Sequence, residues 1–475
     1  MAKGIEKGEF ISAAAPAARL GLPTMFRLGL FQMGLGIMSL LTLGVLNRVM
    51  IKELALPATL VAATIAMNQF VAPSRVWFGQ MSDSKPIGSS HRTGYVWLGA
   101  ALFTTASFLA VQVVWRLNDS IQAAGWGFAT YGWIALLALV FALYGLAISA
   151  SSTPFTAMLV DVSDEDNRPK LVGIVWSMLM VGIIVGAIAS SGLLRQIESD
   201  APLELVRTSI NRIFLIIPAI VFGLTLIATW GVEKTFSRYR SRSVIADRED
   251  SITLGRSLKV LTASRQTGLF FSFLMMMTLS LFLQESVLEP YGGEVFGMSI
   301  AESTRLNAFW GLGTLIGIAT TGFLIVPRIG KHRTAKLGCY AVAASFLLII
   351  LAGFSANPKM LNLAMLIFGL ASGVTTNGAI SLMLDLTAAE TAGTFVGAWG
   401  LAQAMSRAVA AVLGGVALDA GRVLFGSPLL AYSFVFALPI FGMLFAVRLL
   451  DRVNVQEFQL KAREAIAAVL QQELD

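Results

Sequence analysis

Long apolar runs alternate with short polar turns along nearly the whole chain, and one polar stretch divides them into two sets of six. Each run is close to the roughly 20 residues that a helix needs to cross the hydrocarbon of a bilayer. None alternates like an outer-membrane strand, so each predicts a helix whose backbone groups pair with one another in lipid. The predicted spans are 25–46, 58–78, 94–115, 131–153, 171–193, 212–231, 268–289, 306–327, 335–354, 360–383, 394–416 and 428–450.

The polar stretch 233–267 predicts a cytoplasmic linker, because no window inside it is apolar enough to cross a bilayer. It separates an N-terminal half at 25–232 from a C-terminal half at 268–450. A cytoplasmic segment at 1–24 precedes the first half, and an amphipathic cytoplasmic tail at 451–475 follows the second. Twelve crossings place both termini on one side. Lys and Arg cluster in the loops of that side, which assigns it to the cytoplasm.

Composition agrees with this pattern. The chain is 56% hydrophobic and only 13% charged, against roughly a quarter charged residues in soluble proteins. It is therefore expected to be an all-α membrane protein. The formal net charge of +7 does not indicate a nucleic-acid partner, because the cations lie in the loops that determine topology. Membrane lipid is the expected environment.

The two halves repeat one another in sequence. Three positions of the first half recur in the second at a constant offset of 224, and a His-Arg-Thr triplet recurs at an offset of 241. Two six-helix halves in the same orientation, joined by a cytoplasmic linker, are typical of the major facilitator superfamily fold. The repeated positions are Gly145 and Gly369, Asp161 and Asp385, Gly173 and Gly397, and the triplets His91-Arg92-Thr93 and His332-Arg333-Thr334.

Polar residues at the cytoplasmic ends of the spans predict a conformational clamp. Gly79, Asp83 and Arg92 resemble the signature between the second and third spans of major facilitator proteins, and Gly322 with Arg333 is a weaker copy. The glycine is expected to let two helices approach closely, while acids and cations pair with neighbouring helix ends. A clamp role is favoured over a proton relay for the acids of this layer. The clamp residues are Gly79, Asp83, Arg92, Asp161, Gly322, Arg333 and Asp385.

Glu285 and Glu289 lie four residues apart, which predicts that both side chains lie on one face of span seven. Carboxylates inside a membrane are costly unless they are protonated, paired or coordinating a ligand. They are candidates for a binding site. The alternative is that both carboxylates are exposed at the membrane interface on the side opposite the cytoplasm. Arg407 lies well inside span eleven and is expected to pair with an acid or to face a cavity.

Motifs for catalysis are absent: there is no phosphate-binding loop, no His/Cys metal spacing and no Asp-rich Mg-diphosphate motif, so the chain is not expected to be an enzyme. A chlorophyll-type Mg in the spans would need Asn, Gln, Glu, a backbone carbonyl or water as its axial ligand. Each carboxamide could instead form an ordinary hydrogen bond between helices. The candidate carboxamides are Gln32, Asn68, Gln69, Gln284 and Gln403.

Several stretches resemble one branch of the major facilitator superfamily, the PucC/LhaA-type bacteriochlorophyll-delivery proteins. The resemblance is carried by Phe31-Gln32-Met33-Gly34, Leu46-Asn47-Arg48-Val49-Met50 and Leu288-Glu289-Pro290-Tyr291-Gly292-Gly293, and it runs from about Met25 to Asp451. The sequence around Trp77-Phe78-Gly79-Gln80 is similar to that of members from cyanobacterial-type phototrophs.

The resemblance implies an accessory protein that helps chlorophyll reach newly made pigment-binding proteins in the thylakoid membrane. It implies chlorophyll a as the cofactor, with carotenoid as a second candidate. The implied partners are photosystem subunits or small light-harvesting-like proteins, and chlorophyll synthase. Two other classes stay open: a proton-coupled transporter of a small solute or tetrapyrrole, and a membrane enzyme of chlorophyll synthesis. The full set of binding candidates is Gln32, Asn68, Gln69, Gln284, Glu285, Glu289, Tyr291, Gln403 and Arg407.

Overall fold

A computed structural model describes residues 20–88, 90–163, 167–195, 201–237, 265–385 and 392–454, and these residues are almost entirely helical. Most of the predicted linker (238–264), the first 19 residues and most of the predicted amphipathic tail lie outside this part of the chain. In the first half the helices are α1 (Leu22–Glu53, π-helical at Leu40–Leu46 and Val49–Glu53), α2 (Ala58–Phe70), α3 (Ser74–Ser84), α4 (Thr93–Ala124), α5 (Phe128–Val162), α6 (Arg168–Leu193), α7 (Leu203–Thr229) and α8 (Val232–Phe236).

The second half repeats this order. Its helices are α9 (Arg265–Phe282), α10 (Leu288–Phe296), α11 (Ile300–Thr320), α12 (Val326–Ile329), α13 (Lys331–Ser355), α14 (Pro358–Asp385), α15 (Ala392–Phe425) and α16 (Pro428–Leu450). Within the described ranges, nine helices are long and apolar enough to cross a membrane. The other three crossings are made by α2 with α3, α9 with α10, and α11 with α12. The predicted fold of twelve spans in two six-helix halves is confirmed.

The seventh span is broken, which corrects the prediction of one continuous helix at 268–289. Helix α9 ends at Phe282 and α10 begins at Leu288. Pro290 explains the break, because its ring clashes with the carbonyl four residues earlier and it has no N–H to donate. That carbonyl, of Ser286, accepts a hydrogen bond from Asn47 Nδ2 at 2.7 Å instead. Glu285 and Glu289 therefore do not share the face of an unbroken helix.

The halves meet along two helix pairs, α2 with α15 and α6 with α11. We call the side where α1 begins and α16 ends the terminal side, and the opposite side the distal side. Hydrogen bonds between described residues of the two halves lie on the distal side. They join Asn47 and Arg48 to the stretch 286–303, Ala58 and Thr59 to Asp419, and Arg305 to Ser191. The halves are thus tied together at one end.

Two of the repeated glycines lie at close helix contacts. A Cβ at Gly145 would overlap the backbone carbonyl of Asn68, and a Cβ at Gly369 would overlap that of Trp310. Gly79 and Gly322 differ: a Cβ at Gly79 would lie 3.5 Å from Thr153 Cγ2, and one at Gly322 would lie 3.6 Å from Asn377 Nδ2. Those are ordinary van der Waals distances. The expectation that Gly79 and Gly322 permit close helix approach is therefore wrong for this conformation.

We expect Gly145→Ala to lower the free energy of unfolding by about 1–3 kcal/mol, because its methyl group would press on a backbone that cannot turn away. The matched substitution Gly79→Ala makes only an ordinary van der Waals contact with Thr153 and should leave stability within about 1 kcal/mol of the parent, with a small gain from helix propensity. Denaturant unfolding of both variants in detergent micelles checks the difference. Equal losses in the two variants would contradict the assignment.

Candidate functional site

A cavity of about 720 Å³ lies between the two halves, on the terminal side of their hydrogen-bonded contacts. It is lined by residues of α1, α2, α3, α5, α6 and α15, with Phe282 of α9 and Trp310 of α11 at its inner end. Ligand-binding pockets typically have volumes of about 300–1,000 Å³. The cavity is therefore large enough for a cofactor-sized molecule.

The walls of the cavity are largely apolar and aromatic. Tyr144, Trp176, Phe282 and Trp310 contribute four aromatic rings from four different helices. Aromatic faces pack well against planar ring systems in offset or edge-to-face arrangements. Aliphatic residues such as Leu35, Ile148 and Met180 fill the space between the rings. This lining suits a flat, mostly apolar ligand.

Three side-chain amides face the cavity together. Gln32 of α1 and the neighbours Asn68 and Gln69 of α2 all line it. Within the part of the chain that the structure describes, none of these three amides has a side-chain hydrogen-bond partner. Gln32 is only 5% exposed, so its amide is nearly enclosed by protein. Buried amides are normally hydrogen-bonded, and these three are therefore available to a ligand or to water.

An ion pair between the break that follows α9 and helix α15 lies at the inner end of the cavity. Arg407 Nε donates to Glu285 Oε2 at 2.9 Å, and its Nη2 donates to Glu285 Oε1. The guanidinium also lies 4.3 Å from the centre of the Phe282 ring. The expectation that Arg407 pairs with an acid or faces a cavity is met, since in the structure it does both. Arg75, at the start of α3, is the other described cation lining the cavity.

A second pocket of about 50 Å³ adjoins the inner end of the cavity and holds the remaining predicted acids. Glu289 is 3% exposed, and Asn307 Nδ2 donates to its Oε1. Among the described residues, Glu289 Oε2, Gln284 Oε1 and Trp310 Nε1 have no hydrogen-bond partner. The pocket has room for ordered water, which needs about 10–15 Å³ of such volume per molecule. Glu285 and Glu289 both line it although the helix between them is broken.

Arg48 joins the two halves on the distal side of the molecule. Its side chain is fully buried, and it donates from Nη1 to the carbonyl of Ser299 at 2.9 Å and from Nη2 to that of Met298 at 2.7 Å. It also donates to Ser303 Oγ, and Glu53 Oε1 lies 3.6 Å away. One side chain of α1 thus holds the turn between α10 and α11.

The predicted clamp is partly visible on the terminal side. Arg92 Nε lies 3.0 Å from Asp161 Oδ2, and its Nη1 donates to Ser82 Oγ at 2.6 Å. Glu233 accepts from the backbone N–H groups of His91, Arg92 and Thr93, where a carboxylate complements the start of α4. In the second half Arg333 is exposed. The side chains of Asp83 and Asp385 lie outside what the structure describes.

Two binding candidates lie away from the cavity. Tyr291 is fully buried within the second half, where it donates to the carbonyl of Ile349 at 3.0 Å and packs against Tyr432 and Phe436. This is a core position, because the break before α10 turns Tyr291 away from the cavity. Gln403 is half-buried and lines neither pocket.

Several residues with evident roles are absent from the sequence-based candidates. They include Asp419, which accepts from the N–H groups of Ala58 and Thr59 at the start of α2, and Asn307 beside Glu289. Glu233 is the first residue of the predicted linker. In the described ranges there is no group of three or more His, Cys, Asp or Glu that could hold a metal ion.

Comparison with solved structures supports the fold. The nucleoside transporter NupG matches with a TM-score of 0.63 at 14% identity, over 91% of this chain and 98% of that one. A D-xylose-proton symporter matches with a TM-score of 0.62 at 12% identity, over 89% of this chain and 95% of that one. At these identities the likeness concerns the fold alone.

Relatives in sequence are more specific. "Protein PucC" of Rhodobacter capsulatus is 29% identical over 91% of this chain and 93% of its own length. A protein of the same species named "Bacteriochlorophyll synthase 44.5 kDa chain" is 30% identical over 88% of this chain and 92% of its own length. The family model described as "PUCC protein" matches residues 45–458. This multi-pass membrane protein therefore belongs to the PUCC protein family.

Proposed function

We propose that this protein is a membrane accessory factor that takes up a chlorophyll-type tetrapyrrole in its central cavity and passes it to newly made pigment-binding proteins. Family membership supports a link with bacteriochlorophyll, since one relative carries that pigment in its name. The cavity supports holding the pigment within the protein. Light-harvesting or photosystem proteins are the proposed recipients, and chlorophyll synthase is the proposed neighbour.

The observation that carries this proposal is the group of three unpartnered amides in an aromatic cavity. Gln32, Asn68 and Gln69 offer amide oxygens, which are the hard ligands that Mg²⁺ prefers. When bound, a magnesium tetrapyrrole would supply a flat, apolar ring and a Mg²⁺ ion that accepts a hard oxygen ligand. An amide oxygen of Gln32, Asn68 or Gln69 would hold that Mg²⁺, and Tyr144 and Trp176 would form part of the apolar wall around the ring. The residues present therefore fit chlorophyll a, and the apolar walls would also accept a carotenoid.

The proposal also covers the membrane in which the protein lies and its orientation there. The membrane is proposed to be the thylakoid, where newly made pigment proteins are inserted. Both termini are proposed to be cytoplasmic, because Lys and Arg cluster on the terminal side. With that orientation the cavity would exchange its ligand from the cytoplasmic half of the membrane.

The proposal is tested with a triple variant, Gln32→Met, Asn68→Leu and Gln69→Met, which keeps side-chain size but removes the three amides. We expect it to retain about a tenth or less of the pigment that co-purifies with the parent protein, measured by absorption. Gln403→Met is the matched control, because it removes an amide that lies outside the cavity. Equal pigment in the triple variant and the control would count against the site. An absence of both pigment and photosynthetic partners from the parent would count against the function.

A proton-coupled transporter is the second candidate, and the intramembrane pair of Glu285 and Arg407 at the end of a central cavity favours it. Uptake or efflux driven by a pH gradient in vesicles is its test. We also propose that the chain is not itself a synthase. Turnover of a pigment precursor by the isolated chain would overturn that statement.

A further inference from the structure

We propose that the central cavity binds an amphiphile carrying one anionic group, and that Arg75 receives this group. This inference extends the proposed function. The statement that the amphiphile is a pigment rests on that function. For a magnesium tetrapyrrole, the single anionic group is a propionate that is a free carboxylate and not yet an ester. The ligand would then be the unesterified pigment.

The local backbone holds Arg75 against the cavity. Helix α2 ends at Phe70 and α3 begins at Ser74, because Pro73 cannot donate to an earlier carbonyl. The turn between them is fixed by hydrogen bonds from Ser74 N to the Val71 carbonyl and from Arg75 N to the Ala72 carbonyl, both 3.0 Å. Pro73 and Arg75 both line the cavity, next to the amides of Asn68 and Gln69.

Arg75 differs from the other arginines near the centre of the bundle, because its side chain is exposed where it lines the cavity. Arg48 binds carbonyls, Arg92 pairs with Asp161, and Arg407 pairs with Glu285. Among the residues that the structure describes, Arg75 has neither a carboxylate within salt-bridge distance nor a side-chain hydrogen bond. Charged residues within membrane spans are almost always paired or face a ligand pathway. The missing partner of Arg75 is therefore expected in the ligand.

The charged side chains that line the cavity indicate how many charges the ligand carries. Arg75 and Arg407 are the charged residues among the described lining of the cavity, and Glu285 already neutralises Arg407. One positive charge is left. A guanidinium binds a carboxylate through two parallel hydrogen bonds, which matches a single free carboxylate. A diphosphate would bring further negative charges into a low-dielectric site with no cation to meet them.

The experiment uses the full chain in nanodiscs of zwitterionic lipid. The probes are a magnesium tetrapyrrole with a free propionate, its methyl ester, and laurate as an anionic amphiphile without a ring. Binding is followed by pigment absorption and by displacement with laurate. We expect the free acid to bind the parent protein at least about tenfold more tightly than the ester, a difference of 1.4 kcal/mol. Arg75→Gln should abolish that preference and Arg75→Lys should keep part of it, whereas exposed Arg116→Gln should not affect it.

The outcomes separate this inference from the proposed function. If the ester binds the parent protein as tightly as the free acid, the inference is overturned and pigment handling stands. The same holds if Arg75→Gln weakens both pigments equally. If neither pigment binds but laurate binds in an Arg75-dependent manner, the anion site stands and the tetrapyrrole function fails. The ester comparison in the parent protein does not depend on any variant folding.

Discussion

Arg48→Ala should lower the free energy of unfolding by about 3–5 kcal/mol, the range for removing one partner from a buried ionic group. Arg48 is fully buried and satisfies the carbonyls of Met298 and Ser299. Without the guanidinium, those carbonyls lose their donor, and the carboxylate of Glu53 loses the positive charge that lies 3.6 Å away. Denaturant unfolding of the purified protein in detergent measures the loss. Arg116→Ala is the control, because Arg116 is exposed on α4.

The same substitution should also loosen the distal closure, since Arg48 joins α1 to the turn before α11. A cysteine placed at Ala301, which is buried beside this turn, reports on its opening. Labelling by a membrane-impermeant maleimide should speed up on the order of tenfold when Arg48→Ala is added, which corresponds to a shift of about 1.4 kcal/mol. The natural Cys339 is buried and gives little background. Unchanged labelling together with unchanged stability would mean that Arg48 does not hold the two halves.

The fold was predictable because its signals are local or repeated. Each span is a run of apolar residues, and the recurrence of Gly145 as Gly369 reports that the same helix contact is built twice. Gly79 and Gly322 form a weaker repeat, and in this structure neither fits tightly against its neighbour. A repeated glycine therefore does not by itself distinguish a tight packing position from one with spare room.

The site was harder to predict, because its members come together through packing between distant helices. The position of Arg407 inside a span predicts an acidic partner. No feature of the neighbouring sequence identifies that partner as Glu285, which lies 122 positions earlier in the chain. Tyr291 shares a motif with Glu289, yet the break before α10 sends it into the core. Glu233 looked like one of many linker charges, although it follows an apolar span closely and meets the start of α4.

The pair of Glu285 and Arg407 should show strong coupling in a double-mutant cycle. Glu285→Gln or Arg407→Gln alone should each cost about 2–4 kcal/mol of unfolding free energy, since each leaves one unpaired charge inside the membrane. The double variant should cost less than the sum of the two by at least about 1 kcal/mol. The control pair is Lys336 and Asp451, whose ammonium and carboxylate lie 2.8 Å apart with side chains 34% and 44% exposed. Its coupling should be much weaker, because water and salt screen an exposed ion pair.

Glu285→Gln also separates the role of this pair in stability from its role in ligand binding. Removing the carboxylate releases Arg407 and adds a second positive charge to a cavity that Arg75 already makes positive. The free-acid pigment or laurate should then bind more tightly although the protein is less stable. Arg407→Gln has the opposite effect on charge, because it leaves Glu285 unneutralised, and it should weaken binding of the same anions. Changes in affinity of the same sign in both variants would show that the cavity does not select its ligand by charge.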